Sequence, residues 1–152
     1  MTHIKIQSNM NLRFAFAVND DNQFEKKHFG DADKYLIYEY RQDATGFLGE
    51  EFNRFKDMDE VHEHGSKRKG KAIIEFLKSK QVNVLVSRQF GKNMKMVNQH
   101  FIPVIITTEN PDEVLKILKH HVRCIEDEWG KNISNFKLFS IKSGILKSSI
   151  KK

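Results

Sequence analysis

The apolar residues of this chain are spaced in two different ways, and the change from one to the other limits the folds that it can adopt. Residues 12–18, LRFAFAV, form a nearly continuous apolar run that ends in the turn residues NDDN, as expected for a buried strand. Residues 35–40 indicate a second strand and residues 47–55 a third, reached through a turn that contains Gly46. The first part of the chain therefore predicts three strands, which we expect to be antiparallel.

From about residue 66 onward, helical spacing alternates with further strands. The predicted elements are a helix that begins near Ser66, a strand at residues 82–86, a short helix around residues 94–97, a strand at residues 101–106, and a final helix from Pro111 to Trp129 that Asn110 or Thr108 can cap. Pro103 indicates that its strand lies near an edge of the sheet or that the proline lies at the start of the strand. The order βββαβαβα predicts an α/β fold with a mixed sheet of about five strands and flanking helices.

The composition narrows the class of protein. A length of 152 residues suits one domain with one core, and 39% hydrophobic with 30% charged residues argues against a membrane protein. The beginning of the chain lacks the apolar segment of a secretory signal, so we expect a cytoplasmic location. Cys124 is the only cysteine, which excludes an internal disulfide and a thiolate site built from one chain. We expect Cys124 to be a small buried residue of the final helix.

The net charge of +6 is concentrated at the end of the chain. The six residues Lys131, Lys137, Lys142, Lys147, Lys151 and Lys152 account for all of it, and no acidic residue follows residue 130. We therefore predict a domain at residues 10–130 and a basic extension at residues 131–152. Such a tail is usually solvated and less often binds nucleic acid or another polyanion. Residues 136–141 could nevertheless form a short extra strand.

Three turns concentrate the polar residues that could bind a ligand. His28 lies between the first two strands, and His62 and His64 precede the first helix. In an extended segment His62 and His64 would lie on the same side and could hold one metal ion together, although two ligands do not make a complete site. Gly65 allows close approach of the backbone to a ligand.

Positive charge accumulates at two of these turns. Lys67 and Arg68 belong to a run of cations at the start of the first helix, where free backbone N–H groups favour an anion; alternatively these side chains extend into water. Arg88 follows the fourth strand, at a position where open α/β sheets bind ligands. The glycine spacing matches neither a dinucleotide fingerprint nor a Walker motif.

The order of these motifs resembles that of the dinitrogenase iron-molybdenum cofactor-binding family, whose members are of the nitrogenase accessory or cofactor-biosynthesis carrier type. The match spans about residues 12–128, and its most specific element is HFGDA at residues 28–32, directly before an apolar strand. The chain differs from the family at Lys67–Lys69, where glycines are common, and at Ser87–Arg88, where two glycines are frequent.

The resemblance implies a three-layer, ribonuclease H-like fold and a non-catalytic role in binding an iron-sulfur or iron-molybdenum cluster. It also implies that His28 and the loop containing His62, His64 and Gly65 form the cofactor region. In the leading hypothesis the three histidines are metal ligands, the charge of the cluster is neutralised by Lys67, Arg68 and Arg88, and cluster donor or acceptor proteins are partners.

Two other functions were weighed against this one. The first is a nucleic-acid-binding accessory module that uses the basic helix start and the lysine-rich tail. The second is a nuclease, but two-metal hydrolysis needs converging carboxylates, and the interior of the first strand offers only Ala15 and Ala17. We therefore expect no magnesium- or manganese-dependent nuclease activity.

Overall fold

The computed structural model describes residues 11–58 and 63–148, which form one sheet with helices on both faces. Its strands and helices are β1 (Leu12–Val18), β2 (Lys34–Arg41), β3 (Ala44–Phe52), α1 (Glu63–Ser79), β4 (Val84–Ser87), α2 (Met94–Val97), β5 (Ile102–Ile106), α3 (Pro111–His120), α4 (Val122–Lys131), β6 (Phe139–Lys142) and β7 (Ile145–Ser148). Short 3-10 turns occur at Phe29–Asp31 and Gly91–Asn93.

The strand order is β3-β2-β1-β4-β5-β6-β7. Strands β1, β2 and β3 are antiparallel neighbours, β1, β4, β5 and β6 run parallel, and β7 returns antiparallel to β6. The predicted mixed α/β sheet and its antiparallel opening are therefore confirmed. The prediction of about five strands was wrong, because the last part of the chain adds two.

The alternation of large and small residues in β1 determines how the two layers of helices pack. Phe14 and Phe16 lie in the core that includes α3 and α4, whereas Ala15 and Ala17 lie in the core that includes α1 and α2. All four are fully buried. Successive side chains of a strand point to opposite faces, so one strand fills one layer with aromatic rings and leaves room for close approach of α1 on the other.

The predicted basic extension supplies the two additional strands. Phe139 pairs with Val104 and Ile141 with Ile106, so β6 continues the parallel part of the sheet. Trp129 stacks on Phe136 at a distance of 4.9 Å between ring centroids, which packs the end of α4 against the segment that leads into β6. The possible extra strand at residues 136–141 corresponds to β6.

The final helix differs from its predicted form. It is divided at His121, whose φ of −108° and ψ of 22° lie outside the helical region. The backbone N–H of Cys124 donates to the carbonyl of His121 at 3.0 Å, a contact over three residues in place of the usual four. The apolar spacing continues across a break of one residue, so the pattern alone predicted a single helix. The Asn110 cap is confirmed, since its side chain accepts from the backbone N–H of Glu113 at 2.9 Å.

Three smaller differences have local causes. Cys124 is exposed, not buried, because it lies about 100° around the helix from the buried Ile125. Pro103 lies in a strand between β4 and β6, but it is the second residue of β5 and precedes the ladder with β6, which begins at Val104. Within the described residues no helix is long and apolar enough to cross a membrane.

Candidate functional site

Two turns meet at the carboxyl ends of the neighbouring strands β1 and β4. The backbone N–H of Phe29 donates to the carbonyl of Gln89 at 3.0 Å, and His28 and Gln89 form a parallel bridge. The Tyr35 hydroxyl donates to the carbonyl of Phe29 at 2.7 Å. Burial raises the pKa of Tyr35 far above its ordinary value, and the nearby Asp31 carboxylate raises it further, so this phenol stays protonated and available as a donor.

The side chain of Asn53 fixes the same turn from the other side. Its amide nitrogen donates to the carbonyls of Gly30 and Ala32, each at 2.9 Å, and Asn53 itself is buried. A buried amide that satisfies two backbone carbonyls holds a turn in one conformation, because either carbonyl would otherwise lack a partner. The turn that carries His28 is therefore rigidly supported by β2, by Asn53 and by the turn after β4.

Helix α1 approaches this turn with a buried lysine. The ammonium of Lys69 contacts the Asp31 carboxylate at 2.8 Å, and the Lys69 side chain is only 8% exposed. A Cβ at Gly30 would lie 3.5 Å from Cε of Lys69, so the lysine stem passes directly over this glycine. Farther along the cleft, a Cβ at Gly70 would lie 2.7 Å from the amide nitrogen of Asn93, so a larger residue at position 70 would displace the Asn93 side chain.

These contacts enclose a small cleft of about 210 Å³ beyond the carboxyl ends of β1 and β4. Its lining residues are His28, Phe29, Gly30, Asp31, Lys69, Gly70 and Asn93. The cleft therefore presents an imidazole, a carboxylate, an ammonium and an amide beside a short stretch of backbone.

The imidazole of His28 is held on two sides. Its Nδ1 lies 3.5 Å from Oδ2 of Asp31, and the side chain is half exposed. On the other side lies Gly91, where a Cβ would come within 2.9 Å of Cδ2 of His28. Gly91 also has a φ of 62°, a conformation that favours glycine. Glycine at this position thus serves both the turn and the packing of the ring.

The predicted site residues fall into three groups. His28 lies in the cleft. Lys67 and Arg68 are exposed on α1, while Arg88 is partly buried in the turn after β4 and does not line the cleft. His62 lies outside the described residues, and for His64 and Gly65 only the helical backbone is described.

The segment around His64 differs from its predicted form. Helix α1 begins at Glu63 and not near Ser66, so His64 and Gly65 lie in its first turn. The expected start followed from the preference of serine for cap positions, but serine is also tolerated in a first turn. The argument that His62 and His64 share a side rested on an extended backbone and does not apply once His64 is helical.

Three residues of the cleft were not predicted from the sequence. Asp31 was interpreted as a turn former, Lys69 as one of a run of cations that either favour an anion or extend into water, and Asn93 only as part of a turn. A signal for Lys69 was present, because it precedes the buried Ile73 by four residues and therefore shares its helix face. The pairing with Asp31 spans 38 residues and had no local signal.

The donor set of the cleft limits what it can bind unaided. Among the side chains that the structure describes, which exclude those of residues 59–66, no group of three or more His, Cys, Asp or Glu could hold a metal ion. His28 offers one imidazole nitrogen, and the neighbouring carboxylate already contacts Lys69. The described side chains of the cleft therefore do not make a complete metal site by themselves.

The family model described as dinitrogenase iron-molybdenum cofactor matches residues 10–121. The match includes β1 to α3 and the whole cleft, and it leaves α4, β6 and β7 outside. No curated protein matches the chain.

Proposed function

The chain belongs to the dinitrogenase iron-molybdenum cofactor family, and from this premise we propose that it is a non-catalytic binding or carrier protein for an anionic iron-sulfur or iron-molybdenum type cluster. The observation that carries the proposal is the placement of His28. Its imidazole is half exposed at a cleft that α1 and the turn after β4 complete, at the carboxyl ends of parallel strands where α/β sheets bind ligands.

The remaining predicted residues enter the proposal because of where they lie relative to His28. The first turn of α1, with His64 and Gly65, lies at the same edge of the sheet as His28, since Lys69 of that helix contacts Asp31. His64 and His62 remain proposed ligands. The cations Lys67, Arg68 and Arg88 would offset the negative charge of the cargo. Cluster donor and acceptor proteins are the proposed partners.

The finer fold assignment belongs to the same proposal. The order β3-β2-β1-β4-β5, in which β2 alone runs against the other four, supports the ribonuclease H-like architecture that the family implies. The strands β6 and β7 bear on the alternative of a nucleic-acid-binding tail. Residues 139–148 are paired into the sheet, so over that length the basic extension is not a free arm.

The proposal is tested by anaerobic uptake of an extracted iron-molybdenum cofactor or a synthetic iron-sulfur cluster, with bound Fe, Mo and sulfide measured after gel filtration. His28→Ala should abolish uptake, and the double change His62→Ala/His64→Ala should do the same. The matched control is His120→Ala, because His120 is exposed at the end of α3 and does not line the cleft. Normal uptake by His28→Ala would remove the cleft from the mechanism.

Charge neutralisation is tested separately. Replacing Lys67 and Arg68 with Gln should weaken uptake most at low salt, because charge–charge attraction is screened over about 10 Å at 0.1 M salt. Lys116→Gln, an exposed cation on α3, is the matched control. A heparin-binding measurement on the same proteins addresses the alternative function: retention that depends on Lys67 and Arg68 while cluster uptake is absent would favour nucleic acid.

A further inference from the structure

We propose that Asp31 and Lys69 are positioning residues that fix the tautomer of His28, with the proton on Nδ1 and the lone pair of Nε2 available to the cargo. The inference rests on the proposed function for its purpose, but the tautomer itself is a property of the protein without cargo. It concerns a residue pair that the hypothesis from sequence did not include.

The backbone of His28 is held before any ligand arrives. The bridge to Gln89 fixes it to the turn after β4, and the backbone N–H of Asp31 donates to the carbonyl of His28 at 2.9 Å. This second bond closes the 3-10 turn Phe29–Asp31, which brings the Asp31 side chain back toward the imidazole three residues earlier. The carboxylate therefore faces the ring because of the turn.

The imidazole has little freedom to rotate away from this carboxylate. The face of the ring that includes Cδ2 and Nε2 packs over Gly91, at distances of 2.9 Å and 3.3 Å from the position that a Cβ would take there. A half-turn of the ring about the Cβ–Cγ bond, which would exchange Nδ1 with Cδ2, would have to pass through this contact. Asp31 on one side and the Gly91 backbone on the other thus define one orientation.

Lys69 determines which oxygen of Asp31 faces the ring. Its ammonium contacts Oδ1 at 2.8 Å and leaves Oδ2 toward Nδ1 of His28. The Lys69 side chain is almost completely buried, so this contact is protected from water. A buried cation paired with one carboxylate oxygen fixes the plane of the carboxylate, because the pair loses its attraction if the carboxylate turns.

The carboxylate then selects the tautomer. The distance of 3.5 Å between Oδ2 and Nδ1 is too long for a full hydrogen bond, yet a carboxylate at that distance attracts an N–H dipole and repels a nitrogen lone pair. The neutral imidazole is therefore expected to carry its proton on Nδ1. Carboxylates that orient histidine ligands in this way change metal affinity by about 10- to 100-fold when they are removed.

The test is nitrogen-15 NMR of the histidine side chains in the full-length protein without cargo, at a fixed pH well above the ordinary pKa of histidine. The His28 signals are assigned by their loss in His28→Gln. The expected wild-type spectrum shows the Nδ1–H tautomer for His28. In Asp31→Asn the tautomer ratio should move at least tenfold toward that of the exposed His120. A wild-type His28 with its proton on Nε2, or an Asp31→Asn spectrum equal to the wild type, overturns the inference.

A second pair of variants keeps the test valid if Asp31→Asn does not fold. Lys69→Met should shift the tautomer ratio in the same direction, and Lys69→Arg should retain the wild-type ratio because it preserves the cation. Asp33→Asn is the matched control, since Asp33 contacts Lys56 and does not line the cleft. Equal ratios in Lys69→Met and Lys69→Arg would contradict the role of the ammonium.

Cluster uptake by the same variants separates the two proposals. If the tautomer depends on Asp31 and uptake falls about tenfold or more in Asp31→Asn, both stand. If the tautomer depends on Asp31 but His28→Ala takes up cluster normally, the proposed function fails and the positioning has no cargo to serve. If uptake requires His28 but the tautomer ignores Asp31, the proposed function stands and the inference fails.

Discussion

Among the residues that the structure describes, the buried charged side chains of the cleft differ from Glu109 and Glu128 in the kind of partner that holds them. At the cleft, Lys69 and Asp31 hold each other. The buried Glu109 and Glu128 instead accept from the backbone N–H groups of Gly144 and Lys137, which flank β6, and Glu128 also accepts from the side-chain amide of Asn132. We call these two glutamates the tail anchor. A charged group whose partner is another side chain can change its interactions while the backbone stays in place. A charged group whose partners are backbone N–H groups fixes the path of the chain.

The tail anchor holds segments that are distant in sequence. Glu109 accepts from the backbone N–H of Gly144 at 2.9 Å and from that of Thr108 at 3.2 Å, so it joins the start of α3 to the turn between β6 and β7. Glu128 accepts from the backbone N–H of Lys137 at 2.9 Å. These partners cannot move without displacing the backbone, and each carboxylate therefore acts as a structural cross-link.

The partners at the cleft are side chains, which can rearrange while the backbone stays in place. No such rearrangement is open to the backbone N–H groups of Thr107, Thr108 and Gly144 that donate to Glu109. The four predictions below test this difference, in order of decreasing effect.

The largest effect is expected for the tail anchor. Glu109→Ala removes the acceptor of the backbone N–H groups of Gly144 and Thr108. A hydrogen bond to a charged group contributes about 1.5–3 kcal/mol, and the lower end of this range applies to both bonds because Gly144 and Thr108 are exposed to water. We expect the free energy of unfolding, measured by urea denaturation, to fall by about 3 kcal/mol. Hydrogen exchange at Gly144 should accelerate. Asp127→Ala, which removes an exposed acid from α4, should change stability by less than about 0.5 kcal/mol; an equal loss in both variants would contradict the cross-link.

A smaller loss is expected at the cleft. Lys69→Met removes a hydrogen bond between charged groups worth about 1.5–3 kcal/mol, although the Asp31 side chain keeps 21% exposure and can take up water. We expect a loss of about 2 kcal/mol in urea denaturation. Lys71→Met, two residues away and exposed, should change stability by less than about 0.5 kcal/mol.

The double variant Lys69→Met/Asp31→Asn sharpens this second prediction. It should lose less stability than the sum of its single changes, because no buried charge is then left without its partner. Simple additivity of the two losses would mean that the pair does not act as a unit.

The sequence predicted local features well and the pairing of distant ones poorly. The run Leu12–Val18 and the capping of α3 by Asn110 depend on neighbouring residues, and both were predicted correctly. The strand β6 was predicted only as a possibility and β7 was missed, since each has only four residues and both depend on pairing within the sheet and on Glu109. Short strands carry too few residues for a periodic pattern to emerge.

The same limit explains which residues of the cleft could be predicted from the sequence. His28 was predicted because HFGDA is a contiguous motif that resembles a known family. Asp31 belongs to that motif as well, but its role depends on Lys69, which lies on a helix 38 residues later. Only the packing of α1 over Ala15 and Ala17 brings the two together. Contacts set by tertiary packing are not encoded in any local spacing.

The third prediction concerns the stability of the protein at low pH. Burial alone would raise the pKa of Glu109, but hydrogen bonds from backbone N–H groups, including that of Gly144, and from the Thr107 hydroxyl lower it below its usual value of 4.5. The ionised carboxylate therefore contributes stability that is complete above about pH 4.5 and is lost as the pH falls through the folded pKa. We expect the stability difference between wild type and Glu109→Gln to shrink between pH 5 and pH 3. A difference independent of pH would show that the charge does not matter.

The smallest effect is expected for Asp33 and Lys56, a pair of side chains near the cleft. The hydrogen bond from Lys56 lowers the pKa of Asp33, and the same bond raises the pKa of Lys56. The contribution of Asp33 is lost as the pH falls through its folded pKa, and that of Lys56 is lost as the pH rises through its own. The pair therefore stabilises the fold between about pH 4 and pH 10. Because the Lys56 side chain is 42% exposed, Lys56→Met should cost only about 0.5 kcal/mol at pH 7.

Salt distinguishes this pair from the tail anchor. In 1 M sodium chloride the cost of Lys56→Met should almost disappear, since exposed charges are screened within about 3 Å at that ionic strength. The cost of Glu109→Ala should persist, because the Glu109 carboxylate is buried and its hydrogen bonds to the backbone are directional. Urea denaturation of both variants at 0.05 M and 1 M salt measures the contrast. If salt reduced both costs equally, the distinction between charges held by side chains and charges held by backbone would not describe this protein.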